Sequence, residues 1–144
     1  MKIISYLAFN GQCDEAFQFY EKVLGGKILM KMTYGDAPAG TPTPSPEAKN
    51  RIMHVTLAVG DQLLQGADAP VQHFSKPQGF CVMLSVDDAA EAERIFQALA
   101  ENGQVQMPMQ ETFWAKRFGM LIDRFSIPFM VNCNKPMENP APAK

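Results

Sequence analysis

Apolar residues follow two spacings along this chain, the alternation typical of strands and the three-to-four-residue spacing typical of helices. The same order of strand-like and helix-like segments occurs twice. Short apolar runs predict strands, whereas Ala16, Phe19, Tyr20 and Val23 recur at helical spacing before a Gly25-Gly26 stop. The first half therefore predicts a strand, a helix and three strands, at residues 3–9, 14–24, 27–34, 51–59 and 62–65. The second half predicts the same order, at residues 80–86, 87–101 with Asp87 as the helix N-cap, 104–110, 114–122 and 128–133.

The two halves also match residue by residue. Glu15-Ala16 aligns with Glu91-Ala92, and Val23 aligns with Leu99. Each half is thus a βαβββ module. Fixed internal repetition of this kind indicates architecture before any single motif does. We predict an α+β fold in which two four-stranded mixed sheets form an incomplete barrel around a cavity, with the helices outside. The predicted organisation is one domain over residues 1–134, with module one at 1–66, a connector at 67–78, module two at 79–134 and a disordered tail at 135–144.

Residues 35–50 contain repeated proline, which fixes φ and removes the hydrogen-bond donors that a strand needs. We expect a long mobile loop here, without regular structure. The hairpin between the third and fourth strands is expected to turn at Gly60-Asp61.

Composition restricts the partners and the compartment. The net charge is −2 over 144 residues, and the lysines and arginines are scattered, which argues against nucleic acid or an anionic membrane as a partner. Three cysteines without CxxC spacing argue against a disulfide framework and favour a reducing cytoplasm. The first apolar run ends at Asn10 without a cleavage pattern, so we expect no signal peptide. No apolar run approaches the ~20 residues of a membrane span.

The modular plan resembles the vicinal oxygen chelate superfamily, which includes glyoxalase I, extradiol dioxygenases, fosfomycin-resistance proteins and bleomycin-binding proteins. The segments SYLAFNGQCDEAFQFYEKVLGG, HVTLAVGDQLLQGAD and QETFWAKRFGMLIDRFSIPFMVN are most similar to its PhnB-like branch. The last segment is the most specific, through Glu111, Trp114, Phe118, Asp123, Pro128 and Asn132. Ser126 and Phe129 depart from the glycine and tryptophan that are common in this branch.

The resemblance implies where a metal would bind. Metal-using members take one ligand from the first strand and one from the last strand of each module, which here implies Ser5, Gln65, Cys81 and Met130. These residues supply neither a carboxylate nor an imidazole, the donors typical of divalent sites. We therefore expect no metal and no cofactor. A soft Cys81–Met130 metal pair is a weaker alternative, and Cys81 as a nucleophile has no neighbouring activating group in the sequence.

The same resemblance implies a ligand cavity that the four implied metal positions share with their same-face neighbours. The predicted cavity residues are Ser5, Leu7, Phe9, Gln65, Cys81, Met83, Ser85, Trp114, Met130 and Asn132. Their apolar and aromatic character fits a small-molecule pocket, and it also fits an ordinary core. His54, His73 and Glu111 are further candidates. The directions of the two histidine side chains are left open, and Glu111 is expected either to contact substrate or to pair with Lys116 or Arg117.

We predict a cytoplasmic homodimer that binds a small organic molecule without a metal. One alternative is a metal-dependent glyoxalase-like lyase, isomerase or dioxygenase, and another is an accessory protein that acts through its dimer surface; whether the protein is an enzyme stays open. Some PhnB-like members are described as ubiquinone-precursor methyltransferases. A nucleotide-type methyl donor would need a glycine-rich turn from strand to helix, whereas Gly25-Gly26 follows a helix. We therefore expect no methyl transfer.

Overall fold

A computed structural model of the chain describes residues 1–43 and 45–136. It divides into two compact units, with the boundary between Pro77 and Gln78. The first unit contains β1 (Ser5–Phe9), α1 (Cys13–Leu24), β2 (Lys27–Thr33), β3 (Ile52–Val59) and β4 (Gln62–Asp68). The second contains β5 (Val82–Ser85), α2 (Ala89–Ala100), β6 (Gln104–Gln110), β7 (Ala115–Ile122) and β8 (Pro128–Asn134). The α+β class and the βαβββ order of each half are confirmed.

Each unit has one four-stranded mixed sheet, and the two sheets have the same topology. The strand orders are β1-β4-β3-β2 and β5-β8-β7-β6. In each sheet the first strand pairs in parallel with the last, and the other neighbours are antiparallel. Neither sheet closes on itself, because the first and second strands of each unit remain at the edges.

In the first unit, α1 covers one face of the sheet. The buried side chains Phe17 and Tyr20 lie on this helix, and the Phe17 ring packs edge-on against Phe9 at 6.0 Å between centroids. Gly66 lies directly beneath Phe17, since a Cβ atom there would come within 2.7 Å of the Phe17 ring. Among the described residues of this unit, no helix covers the opposite face of the sheet; in each unit we call the sheet face that the helix leaves uncovered the open face.

In the second unit, α2 covers the corresponding face. Its buried residues Ala92, Ile95, Phe96 and Leu99 face the sheet, and a Cβ atom at Gly119 would come within 2.7 Å of the Phe96 ring. The helix begins with Asp88, whose side chain accepts from the backbone N–H of Glu91 at 2.9 Å. The prediction of Asp87 as the N-cap was therefore wrong by one position.

Residues 35–50 differ from the prediction, because they include regular turns. Short 3₁₀ helices form at Tyr34–Asp36 and Pro46–Asn50. Thr33 and Asp36 cap the first turn reciprocally through their side chains. Proline starts the second turn, where its fixed φ is compatible with helical backbone and its missing N–H is not needed. Proline therefore excluded strands here but did not exclude 3₁₀ turns.

Two other boundaries shift, and one predicted turn is found where expected. Strand β4 continues past residue 65 to Asp68, because Gly66 and Asp68 still pair with Leu7 and Phe9. The expected turn at Gly60-Asp61 is confirmed, and Gly60 has a φ of 61°. Of the predicted disordered tail, Lys135 still donates its backbone N–H to the Trp114 carbonyl at 3.0 Å, and residues 137–144 lie outside the described part. Among the described residues, neither helix has the length and apolar character that crossing a membrane requires.

Candidate functional site

The open face of the first unit carries a row of four residues, one from each strand. Tyr6 of β1 lies opposite Gln65 of β4, Gln65 lies opposite Thr56 of β3, and Thr56 lies opposite Met30 of β2. Residues paired across strands point to the same face of a sheet. Thr56 is thus flanked on both sides by side chains of the open face.

Hydrogen bonds join Tyr6 and Thr56 of this row through His54, which precedes Thr56 by two positions on the same face. The Tyr6 hydroxyl lies 3.0 Å from His54 Nδ1, and His54 Nε2 lies 3.0 Å from Thr56 Oγ1. Gln65 Nε2 donates to the same Thr56 hydroxyl at 3.3 Å. We call Tyr6, His54, Thr56 and Gln65 the polar row. It answers the open question about His54, whose side chain lies on the open face.

The hydrogen bonds of the polar row allow two arrangements of protons. In one, Thr56 donates to His54 Nε2 and His54 donates from Nδ1 to the Tyr6 oxygen. In the other, Tyr6 donates to Nδ1 and His54 donates from Nε2 to Thr56. The pKa of Tyr6 is raised above its usual value, mainly by partial burial and secondarily by Cys13 and Tyr34. The phenol is therefore neutral near pH 7 and can present either a donor or an acceptor to a ligand.

Around the polar row the open face is apolar and accessible. Tyr6 is 51% exposed and Met30 is 43% exposed, and Met32 lies opposite His54. A few positioned polar groups within an apolar surface are typical of small-molecule sites.

The structure corrects the predicted face of β1. Leu7 and Phe9 are 1% and 2% exposed, and they lie in the core between the sheet and α1. Ser5 has the same parity as these two residues, whereas Tyr6 occupies the open face beside Gln65. The prediction that Ser5, Leu7 and Phe9 face the ligand side was wrong, because a register shift of one residue moves a strand's side chains to the other face.

Strand pairing also corrects the internal alignment. Tyr6 lies opposite Gln65 in the first unit, and Met83 lies opposite Met130 in the second, so Tyr6 corresponds to Met83. The offset that aligns Glu15 with Glu91 in the sequence would instead align Ser5 with Cys81. Gln65 and Met130 occupy matching positions of the last strands.

The open face of the second unit carries most of the other predicted residues. Met83 lies opposite Met130, and Ser85 lies opposite Asn132. Phe129 and Val131 point the other way into the core under α2, where they are almost fully buried. Cys81 precedes the strand by one residue and is partly exposed.

Trp114 joins this face through a hydrogen bond and ring contacts. Its Nε1 donates to Asn132 Oδ1 at 3.2 Å. Its ring lies 5.2 Å from that of Phe118 and 4.9 Å from that of Phe113, both nearly perpendicular. Trp114 is 42% exposed and Phe113 is 89% exposed. An indole in this position offers a ligand an apolar surface, while its N–H is already bonded within the protein.

The remaining candidates lie elsewhere. His73 lines a depression of about 410 Å³ together with Tyr34, Pro42, Thr43, Pro70 and Gln72. Glu111 pairs with Lys135 at 2.7 Å instead of with Lys116 or Arg117, and hydrogen bonding from Lys135 lowers the pKa of Glu111. Arg117 forms its ion pair with Glu93 of α2.

Burial strongly raises the pKa of the Cys13 thiol, and Asp68 and Asp14 raise it further, so Cys13 is not a nucleophile.

The residues at the metal positions implied by the resemblance change with the register. The first-strand positions become Tyr6 and Met83, and the last-strand positions remain Gln65 and Met130. This set also supplies no carboxylate or imidazole. Among residues 1–43 and 45–136, no three His, Cys, Asp or Glu side chains are grouped as a metal site would require.

Sequence reasoning missed Tyr6 and Thr56 as site residues. The pattern of β1 was ambiguous, because Tyr6 and Leu7 are both large and largely apolar. Gly66 could have indicated the correct face. A glycine within a strand marks a close approach by another group, here the Phe17 ring of α1, so the neighbouring Gln65 faces the other way.

The family model described as 3-demethylubiquinone-9 3-methyltransferase matches residues 1–132. The chain belongs to this family. A curated relative, protein YjdN of Escherichia coli strain K12, is 31% identical over 142 residues, which cover 94% of this chain and 97% of YjdN. The predicted PhnB-like membership is thereby confirmed at the level of the family.

Two solved structures are similar to this chain over nearly its whole length. Protein PA1353 from Pseudomonas aeruginosa is 45% identical, with a TM-score of 0.85 and coverage of 93% of this chain and 98% of that one. A Bacillus cereus PhnB protein, described as a putative 3-demethylubiquinone-9 3-methyltransferase, is 23% identical, with a TM-score of 0.77 and coverage of 92% and 99%.

A more distant solved structure shares the fold of this chain. A glyoxylase/bleomycin resistance protein/dioxygenase domain from Frankia sp. EAN1pec is 12% identical, with a TM-score of 0.61 and coverage of 92% of this chain and 94% of that one. At this identity the similarity concerns the fold alone.

Proposed function

We propose that this protein binds a small, partly apolar organic molecule, and that binding needs no divalent metal. The observation that carries the proposal is the polar row, in which Tyr6, His54, Thr56 and Gln65 are held by mutual hydrogen bonds on an accessible, otherwise apolar sheet face. Preorganised polar groups reduce the entropic cost of binding, since their side chains are already ordered.

The chemistry of the polar row indicates which chemical group of a ligand it would contact. Tyr6 and Gln65 form the accessible end, and each can donate or accept a hydrogen bond. The members of the row carry no formal charge when His54 is neutral. We infer that the row binds a neutral oxygen-containing group, such as a hydroxyl or a carbonyl, while neighbouring methionines contact the apolar part of the molecule.

Metal-independent binding follows from the donor set. Tyr6, Gln65, Met83 and Met130 occupy the strand positions from which metal-using members take their ligands, and they are poor donors for divalent zinc, nickel, iron or manganese. Elemental analysis of protein purified without chelator should return no stoichiometric divalent ion. About one such ion per chain would favour the alternative of a metal-dependent enzyme.

We also propose that the protein does not transfer methyl groups, although the family description and the Bacillus cereus relative carry that activity in their names. Gly25 caps the end of α1 with a φ of 68°, which is a helix-ending role and not a phosphate-binding one. In the turn from β1 to α1, Gly11 is the single glycine. Isothermal titration with S-adenosylmethionine tests this proposal, and micromolar binding would contradict it.

The expected cellular form is a cytoplasmic homodimer. The three cysteines are free, which is consistent with a reducing compartment. Light scattering on the purified protein gives the oligomeric state directly, and a monomeric mass across micromolar concentrations would remove both the dimer and the accessory function assigned to its surface.

Thermal-shift screening against uncharged alcohols, ketones and phenols tests the binding proposal, because a ligand that binds only the folded protein raises Tm. Tyr6→Phe should reduce the shift caused by any hit, whereas Gln72→Leu should not. Gln72 is a suitable control because it belongs to the same unit, is exposed and lines the depression near His73. Equal losses in both variants, or a shift that survives Tyr6→Phe together with Gln65→Leu, would remove the polar row from the site.

A further inference from the structure

Four methionines form a single row across the second sheet. Met83 of β5 lies opposite Met130 of β8, Met130 lies opposite Met120 of β7, and Met120 lies opposite Met107 of β6. We call these four residues the methionine row. It corresponds strand by strand to the row of Tyr6, Gln65, Thr56 and Met30 in the first unit.

The pairing brings the thioether groups of neighbours within reach of one another. Adjacent strands lie about 4.7–4.9 Å apart, and paired side chains share a face. Methionine has three rotatable side-chain bonds, so two neighbouring sulfur atoms can turn toward one point above the sheet. Met130 is central, since Met83 and Met120 flank it on either side.

Core packing does not account for the methionine row. Met83 is 58% exposed, and Met107, Met120 and Met130 are partly exposed. Met109 provides the contrast, because its sulfur lies on the helix side of the sheet, 2.8 Å from where a Gly119 Cβ atom would be. The methionine row therefore lies on the open face of the second sheet, whereas Met109 lies on the face that α2 covers.

The neighbours of Met130 make its surroundings soft and uncharged. Its same-face neighbours along β8 are Pro128 and Asn132, and these lie opposite Ile122 and Phe118 of β7. These four residues contain no carboxylate or imidazole that could bind a hard cation. Thioether sulfur is a neutral, soft ligand that selects Cu(I) among biological metals. Neutral ligands leave the ion's charge uncompensated, which favours a monovalent ion over a divalent one.

We propose that the methionine row is a binding site for a soft monovalent cation, Cu(I) or its analogue Ag(I), with Met130 as the central ligand and Met83 and Met120 as its partners. This proposal is argued from the second unit alone and does not depend on the proposed function. Cys81, which precedes Met83 by two residues and is partly exposed, is the nearest thiol in the sequence and the main competing ligand.

Anaerobic competition for Cu(I) against bathocuproine disulfonate measures the affinity of the full chain. The expected stoichiometry is about one Cu(I) per chain, and Met130→Leu should weaken binding by about ten-fold or more. Met109→Leu is the matched control and should leave the affinity unchanged. Leucine is close to methionine in volume, so both variants should fold, which thermal denaturation verifies. Equal affinities for wild type and Met130→Leu would overturn the proposal.

Two further measurements separate thioether from thiol ligation. Cys81→Ser should retain Cu(I) binding that still depends on Met130, and loss of all binding in Cys81→Ser would assign the site to the thiol instead. Bound Ag(I) should also protect Met83 and Met130 from oxidation by peroxide, as read by peptide mass spectrometry, because a coordinated sulfur lone pair is not available to the oxidant. Equal oxidation rates with and without Ag(I) would contradict the methionine row as the ligand.

Discussion

Asp68 is expected to be the most sensitive polar residue of the first unit. Its side chain is 2% exposed, and it accepts three backbone N–H groups. Oδ1 accepts from Gly11 at 2.8 Å and from Cys13 at 3.1 Å, and Oδ2 accepts from Ile52 at 2.9 Å. One carboxylate at the end of β4 thus holds the start of α1 and the start of β3. The substitution Asp68→Ala removes both acceptor oxygens and therefore all three hydrogen bonds at once.

The magnitude follows from the number of N–H groups left without a partner. Each buried donor without an acceptor costs about 1–3 kcal/mol, which gives a range of about 3–9 kcal/mol for three. The Gly11 bond is only partly buried, and water can reach it, so the lower part of the range applies. We expect Asp68→Ala to lower the free energy of unfolding by about 4 kcal/mol, a large share of the stability of an average domain.

Urea denaturation monitored by circular dichroism measures the loss, with two comparison variants. Asp68→Asn keeps one acceptor oxygen and is expected to lose about half as much. Asp61→Ala is the matched control, because Asp61 is an exposed residue of the β3–β4 turn and its substitution should change stability by less than about 0.5 kcal/mol. If Asp68→Ala and Asp61→Ala lose the same amount, the three hydrogen bonds do not anchor β4 and this reasoning fails.

Three other predictions concern the second unit and the thiols. Ser126 has a φ of 71°, so Ser126→Gly should raise the free energy of unfolding by about 0.5–1 kcal/mol; a lower urea midpoint would contradict backbone strain there. Trp114→Phe should cost about 1 kcal/mol by removing the bond to Asn132, and a loss above about 3 kcal/mol would instead indicate a core anchor. Ellman's reagent should label Cys81 well before Cys13, which is fully buried; the reverse order would contradict the described core.

The Ser126 conformation also explains a departure noted in the sequence. The PhnB-like branch commonly carries glycine at this position, and a positive φ is the backbone geometry that glycine adopts without strain. The sequence shows that serine replaces glycine at position 126. The structure shows the positive φ at which serine is less stable than glycine.

The sequence alone determined the repeated βαβββ order, because each helix and strand in it depends on local periodicity and on glycine stops. The resemblance to a known family further implied Gln65 and Met130 as last-strand positions, and it placed Met83 and Asn132 among the same-face neighbours, which needs only the strand period of two. The family motif around Trp114 added the PhnB-like assignment.

The tertiary structure decided which face of each strand the helix covers. In β1, Tyr6 and Leu7 are both large, so alternation separates two faces without saying which one is buried. Because Phe17 packs onto Gly66, Leu7 lies in the core and Tyr6 lies on the opposite face. There Tyr6 contacts His54, which is 48 positions away in the chain. A shift of one residue exchanges all side chains between the faces of a strand, and only contacts from distant parts of the chain select one of the two registers.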